Sequence, residues 1–309
     1  MSSQSYFLSA IQWVAIGILF LLFFIGGPSY YSPIENKLFW NNGHILFYFM
    51  TCLVLMKHLH KRSSSFPTLI LSTLFYTLIL GTVVELVQAN FDREVDYFDI
   101  YRNFLGCFLA ITFFQLQRYK KSKKIISVFI VACLLIVIEQ KSLFSMLSLK
   151  YQQYKKLPML ADFSIKDESL LWSEGEIMKN NSKSNPYSLK VKLTTGKKYS
   201  GFTFKDVYQD WRGYNAIEFR VRHYSKNDNK LCIKITDLIH DEGNHAYSNR
   251  FNYCPSLIYG KNVIQIPLDN IINAPNNRKI YLSEISQIGF FMIDLTEEQT
   301  LYVDSIKLK

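Results

Sequence analysis

The sequence predicts a multi-domain protein: an all-α polytopic membrane domain of five transmembrane helices, followed by an all-β jelly-roll sandwich. Three observations predict it. Long apolar runs crowd into the first half of the 309 residues and are missing from the second. Charge divides with them: residues 1–156 carry 15 Lys and Arg against 7 Asp and Glu, and residues 157–309 carry 20 against 18. Beyond Pro158 the pattern switches to short alternating runs separated by Gly, Asn, Asp and Pro, the signature of strands and turns. The expected domains are 1–139, a connector over 140–158, and 159–309.

Apolar runs at 7–26, 44–59, 67–88, 100–117 and 125–139 are read as the five spans. A helix needs about 20 apolar residues to cross the hydrocarbon core, with about 17 as a lower limit. The first and third runs meet this. The second and fifth gain length if flanking lysines snorkel. No Lys or Arg precedes the first run and no small-x-small site follows it, so it reads as a retained span rather than a signal peptide. Loop charge sets orientation. Lys57, Lys61 and Arg62 follow the second run, and Arg118, Lys120, Lys121, Lys123 and Lys124 follow the fourth. Basic loops stay cytoplasmic. The expectation is therefore a multi-pass protein of the cell membrane, with its N-terminus cytoplasmic and its C-terminal domain extracytoplasmic.

A polar cluster lies at the outer ends of the middle spans. Glu85 and Gln88 share one helix face, as do Asp99, Asn103 and Gly106, because residues three and four apart are neighbours on a helix. Arg93 and Asp96 fill the connection, and His44 and Tyr48 are four apart on the second span. Ionisable groups at a bilayer are costly and mark function by default. His44, Tyr48, Glu85, Gln88, Arg93, Asp96, Asp99 and Asn103 are thus the binding candidates. Glu85 and Asp99 are the acid–base candidates, since carboxyls move protons in catalysis. Against this stands a structural pairing of Glu85 with Arg93 and Asn103. Arg93 and Lys37 suit the phosphates of a lipid-linked envelope precursor. No metal is expected: the ligand set has no HExxH-type spacing, and Arg93 opposes a cation.

The pattern His44-x-x-x-Tyr48, Glu85-x-x-Gln88, Arg93, Asp96, Asp99-x-x-x-Asn103-x-x-Gly106 resembles the VanZ-like membrane family over roughly residues 10–140. Asn36 departs from it where the family often has an acidic residue. The resemblance implies the helical architecture and a link to glycopeptide antibiotic or envelope-stress tolerance; it names no reaction.

In the second half, Ile217, Phe219 and Val221 alternate with Glu218, Arg220 and Arg222, and Leu301, Val303 and Ile306 are interrupted by Asp304. Seven or eight such strands argue for a sandwich. The segments around Asp210–Phe219, Asn249–Tyr253, Val263–Leu268 and Leu301–Ile306 resemble jelly-roll domains of the carbohydrate-binding-module and galactose-binding type. That resemblance implies a glycan- or protein-binding module. Trp211 is a candidate sugar platform or a core residue. His240, Tyr247 and Arg250 are candidate rim residues, although His240 to His245 reads as a solvent-exposed turn around Gly243 and Asn244. Cys232 and Cys254 are a candidate disulfide, which an extracytoplasmic setting permits.

No P-loop, dinucleotide fingerprint, nucleophile triad or nucleic-acid motif is present. No cofactor is expected, and no nucleic acid. The expected partners are the lipid bilayer and an envelope glycan or lipid-linked precursor. The reading is a cell-envelope membrane protein, more plausibly non-enzymatic; the alternative is a membrane-embedded enzyme acting on a lipid-linked precursor.

Overall fold

The computed structural model describes residues 3–24, 27–28, 31–62, 65–88, 97–165, 167–180, 186–225 and 229–309. Arg93 and Asp96 lie outside them. The chain forms two compact units, residues 1–144 and 145–309.

The first unit is helical: α1 (Ser3–Leu22), α2 (Ile34–Lys61), α3 (Phe66–Gln88), α4 (Tyr97–Arg118) and α5 (Lys123–Glu139). Each apolar run has become a helix, but α2 starts at Ile34 rather than His44. The polar turn around Asn41 and Asn42 continues the helix, which an apolar-run count does not register. By length and composition, α2 and α3 are able to cross a membrane, and a third span arises if α5 and α6 (Lys141–Lys156) are one bent crossing. This is fewer than the five expected. α4 carries Asp99, Arg102 and Arg118 within 22 residues, and α5 alone has only 17.

The packing of α3 is inverted. On α3 the buried stripe is Leu69, Thr73, Thr77, Gly81, Val84, Glu85 and Gln88. The exposed side carries Leu71, Phe75, Leu78, Ile79, Val83 and Leu86. Spacings of three and four put the polar residues on one inward face. Thr73 and Thr77 satisfy their hydroxyls on the carbonyls of Leu69 and Thr73. α2 and α4 approach most closely at Gly106, where a Cβ would sit 2.3 Å from the Ile45 carbonyl oxygen. Small residues at such crossings let backbones touch.

The segment expected as a connector is largely the helix α6, which buries Met146, Leu149 and Gln153. Lys150 pairs with Asp206 at 2.5 Å and also donates to its carbonyl.

The second unit is an antiparallel β-sandwich. One sheet runs β10 (Gly260–Pro267), β5 (Ala216–His223), β12 (Gln299–Leu308), β3 (Tyr187–Leu193), β2 (Glu176–Lys179), with β1 (Met159–Ala161) also on β12. The other runs β4 (Tyr199–Phe204), β11 (Ile285–Ile293), β7 (Cys232–Asp237), β8 (Phe251–Tyr253). A short pair, β6 (Asn229–Lys230) and β9 (Ser256–Leu257), lies apart. The broken alternation at Asp304 is a bulge: the register shifts between Val303 and Ser305, and Asp304 accepts from Arg222. A bulge inserts one residue and so flips the alternation.

The inner faces meet through Phe219 and Phe290, edge-on at 5.5 Å; Trp172, bridged beside Phe204, stacks on it at 4.5 Å. Trp211 belongs to the core too. It is fully buried, and its indole N–H donates to the Tyr208 carbonyl at 2.7 Å. The sugar-platform reading of Trp211 is therefore corrected: a ring with no exposed face stacks on nothing from solvent.

Candidate functional site

The open face of the four-stranded sheet carries a groove, with a cavity of about 370 Å³. Strand alternation builds it. Phe202, Phe204, Ile288, Phe290, Ile233 and Ile235 point into the core, so their neighbours point outward. Register then sets these outward residues in rows. Gly201, Phe291 and Cys232 stand side by side, and Thr203, Gly289, Lys234 and Asn252 form the next row. Cys232 and Cys254 form a disulfide that closes the first row across β7 and β8.

Two glycines shape the floor. A Cβ at Gly201 would lie 2.3 Å from the Phe290 carbonyl oxygen, and one at Gly289 would strike the Lys234 stem at 2.6 Å. The Lys234 methylenes thus run across bare backbone. Glycine inside a strand often marks such a close approach. Aromatic residues form the walls. Tyr199 meets Phe291 edge-on at 5.8 Å. Opposite, the Arg250 guanidinium lies 5.4 Å over the Tyr247 ring, and its Nε donates to Asn252 Oδ1. Tyr199 and Tyr247 are both exposed. Burial, with Arg250 nearby, pushes the Lys234 ammonium below its ordinary range. The lining holds two cations, aromatic faces and the Thr203 hydroxyl; no carboxylate is among its described residues.

Tyr247 and Arg250 therefore line this groove. His240 does not: it sits in the short helix α7 (Leu238–Asp241), buried at 2% exposure. The solvent-turn reading of this segment is corrected at its start, because Asp237 caps α7 by accepting from the His240 N–H and turns residues 240 and 241 inward. Asp237 itself is fully buried and receives both terminal nitrogens of Arg278. Burial opposes its charge, yet Arg278 and the N–H groups of Tyr281 and His240 hold its carboxyl below the ordinary range. Sequence reasoning missed Tyr199, Gly201, Lys234, Gly289 and Phe291. Their signal was present: outward strand positions bearing aromatics and glycine where a surface strand usually carries charge.

The helical unit holds a second cluster. His44, Glu85 and Asp99 are all buried, and their ligand atoms lie within 4.8 Å of one another. His44 Nδ1 meets Asn103 Oδ1 at 2.9 Å, and Nε2 lies 3.4 Å from Asp99 Oδ2. Arg102 bridges Asp99 and Glu139 at 2.6 and 2.8 Å. Gln88 donates to the Phe23 carbonyl. The Tyr48 hydroxyl and the Asn103 amide nitrogen are buried with no hydrogen-bond partner among the described residues. Both face Gly81: its Cβ position lies 2.9 Å from that nitrogen and 3.6 Å from the hydroxyl. The sequence did not single out Arg102 or Glu139.

No protein-family model matches the chain, and no curated protein matches it. Solved structures with some likeness align with its C-terminal half. A family 11 carbohydrate-binding module from Clostridium thermocellum, in complex with a beta-1,3-1,4-mixed-linked tetrasaccharide, is 19% identical, with a TM-score of 0.36 over 48% of this chain and 93% of its own. A module specific for non-crystalline cellulose, CBM28, is 10% identical, with a TM-score of 0.33 over 50% of this chain and 93% of its own. An exo-beta-agarase is 14% identical, with a TM-score of 0.38 over 49% of this chain and 24% of its own. The chemistry of the groove has to be read from its own side chains.

Proposed function

We propose that this chain is a membrane-anchored cell-envelope protein whose sandwich binds a glycan in the groove of its four-stranded sheet. The carrying observation is that groove: Tyr199, Phe291 and Tyr247 offer ring faces over a floor opened by Gly201 and Gly289. Sugar rings present C–H faces to aromatics and hydroxyls to hydrogen-bonding groups, and ligand sites combine an apolar lining with few fixed polar groups. Lys234 and Arg250, with no carboxylate beside them among the described lining residues, favour a glycan bearing carboxylate or phosphate.

Membrane placement is supported by the inverted packing of α3. An exposed face of Leu71, Phe75, Leu78, Ile79 and Leu86, with Thr73, Thr77, Glu85 and Gln88 turned inward, suits hydrocarbon as its solvent. In this reading the protein is multi-pass, its N-terminus is cytoplasmic and the sandwich is extracytoplasmic. Five spans need α1, α4 and α5 to cross with α2 and α3, Asp99 and Arg102 of α4 being paired with each other and Arg102 with Glu139, while Arg118 stands exposed at the end of α4. The VanZ-like reading draws support from His44, Tyr48, Glu85, Gln88, Asp99 and Asn103 all being buried in the helical unit. A role in glycopeptide or envelope-stress tolerance rests on that resemblance alone.

A second reading, a membrane-embedded enzyme acting on a lipid-linked precursor, is favoured by the unpartnered Tyr48 hydroxyl and Asn103 amide beside two carboxylates. Buried polar groups without partners suit a ligand that supplies them. Glu85 and Asp99 are its acid–base candidates.

The test is calorimetric titration of the purified full-length protein with soluble fragments of envelope glycans. Saturable binding that Tyr199→Ala and Tyr247→Ala each weaken by about two- to tenfold is expected, as an aromatic stacking contact is worth about 0.5–1.5 kcal/mol. Absence of binding to any fragment sinks the glycan reading. Turnover of a lipid-linked precursor that Glu85→Gln stops, in protein that remains folded, would replace it with the second.

A further inference from the structure

Outside the groove, one cluster has the chemistry of a metal site. His240, Asp241 and His245 each offer a ligand atom, and these atoms lie within 4.8 Å of one another. The two imidazole rings are 5.8 Å apart. His240 and Asp241 are buried, at 2% and 3% exposure, and His245 is exposed.

The surroundings orient both buried groups as ligands. The Asn249 main chain hydrogen-bonds the His240 ring, while Nδ1 is buried with no partner among the described residues. That bond therefore falls to Nε2–H, which leaves the Nδ1 lone pair free. The Asp241 carboxylate is fixed through one oxygen: Thr236, Ser286 and Gln287 all donate to Oδ2. None of those bonds uses Oδ1. A ring N–H on a backbone carbonyl, and a carboxylate held by outer donors, are what surround metal ligands. Two cations lie nearby: Arg250, which is engaged by the Tyr247 ring and Asn252, and Lys234, which also feels the Asp241 charge.

We propose that His240, Asp241 and His245 bind one divalent transition-metal ion of the zinc type, with a further position open on the exposed His245 side. Imidazole with carboxylate selects zinc, cobalt or nickel over calcium or magnesium, which prefer oxygen alone. Zinc holds nitrogen and oxygen ligands at about 2.0–2.2 Å, so tetrahedral ligand atoms sit about 3.4 Å apart. The three ligand atoms, all within 4.8 Å of one another, are close to that spacing. The ion would tie the end of β7 to the segment that carries Tyr247 and Arg250. The site stands or falls independently of glycan binding.

The test uses untagged full-length protein in detergent, stripped with a chelator and titrated with cobalt(II), which reports its ligands through visible absorption. One equivalent should bind with a four- or five-coordinate spectrum, and zinc should displace it. His245→Ala, at an exposed position that leaves the core intact, should abolish the band. Ser286→Ala should weaken binding about tenfold, as loss of an outer-shell donor does. His44→Ala should leave the band unchanged, which separates this site from the helical cluster. No cobalt uptake by the native protein, or the same band in His245→Ala, overturns the proposal.

Discussion

The helical unit and the sandwich bury opposite things. Inside the sandwich lie Phe202, Phe219, Ile233, Phe290 and Val303, with Lys and Arg largely outside. Inside the helical unit lie His44, Thr73, Thr77, Glu85, Gln88 and Asn103, next to an apolar core of Phe47, Cys52, Met56 and Val84. The exposed face of α3 is Leu, Ile, Val and Phe. The sandwich turns hydrocarbon inward; α3 turns its hydrogen-bonding side chains inward and its hydrocarbon outward. Each unit also contains charged groups that break its own rule, and each compensates them differently.

The largest expected effect breaks the compensation in the sandwich. Asp237 has no exposed surface and depends on Arg278. Arg278→Ala leaves that carboxylate buried and unpaired, which typically costs about 3–5 kcal/mol. Denaturant unfolding followed by tryptophan fluorescence reads this directly. The acid side has a definite sign. Because the folded Asp237 carboxyl is held below its ordinary range, its contribution is complete above the unfolded value and is lost as pH falls through the folded one. The native protein should therefore keep this term at pH 5 and lose it in stronger acid, and Arg278→Ala should have none to lose. An unchanged unfolding midpoint in the variant would show that the pair is not what makes Asp237 tolerable.

Glu168 is the sandwich's exception: Lys156 and the main chain of Asp162 and Ile165 offset its burial only in part. It is 1% exposed, its Oε2 has no partner among the described residues, and burial with the Asp162 charge raises its carboxyl to about 7. Between its ordinary value of 4.5 and about 7 the folded protein keeps a proton that the unfolded chain has released. Stability therefore falls as pH rises through that window and is level above it. The full loss is about 3 kcal/mol. Glu168→Gln should remove the slope and leave the variant more stable than the native protein at pH 8. Parallel pH profiles for the two proteins would refute the assignment.

How much of this was legible in the sequence differs between the units in the same way. Apolar runs located the five helices of the first unit, because burial in either solvent demands long apolar stretches. They misplaced the start of α2, since the Asn41–Asn42 turn is helical without being apolar. The cluster residues were visible as polar letters in apolar runs, but Arg102 was not: its role depends on Asp99 three residues before it and Glu139 on another helix. In the sandwich, the alternation at 217–222 and 301–306 located β5 and β12. It did not identify Trp211 as core, since an aromatic next to a turn reads the same inside or out. The groove was illegible because it is a product of register: Gly201, Phe291 and Cys232 are far apart in the chain and adjacent only across strands.

Both units also depend on a glycine at a close backbone approach, and that parallel sharpens the comparison. A Cβ at Gly106 would meet the Ile45 carbonyl, and one at Gly201 would meet the Phe290 carbonyl, both at 2.3 Å. In the sandwich the opposing carbonyl belongs to a strand fixed on both sides by β4 and β7. In the helical unit it belongs to α2, whose backbone hydrogen bonds lie within the helix rather than across to α4. Gly106→Ala is therefore expected to cost about 1–3 kcal/mol, toward the lower end, while Gly201→Ala should sit toward the upper. Gly43 is the control: nothing lies within 4 Å of its Cβ position. Gly43→Ala should leave stability unchanged or raise it by about 0.5–1 kcal/mol through helix propensity. Thermal unfolding of the three variants in one detergent measures the ranking. If Gly43→Ala and Gly106→Ala behaved alike, α2 and α4 would not be in contact at that crossing, and the closed interior around His44 and Asn103 would lose its support.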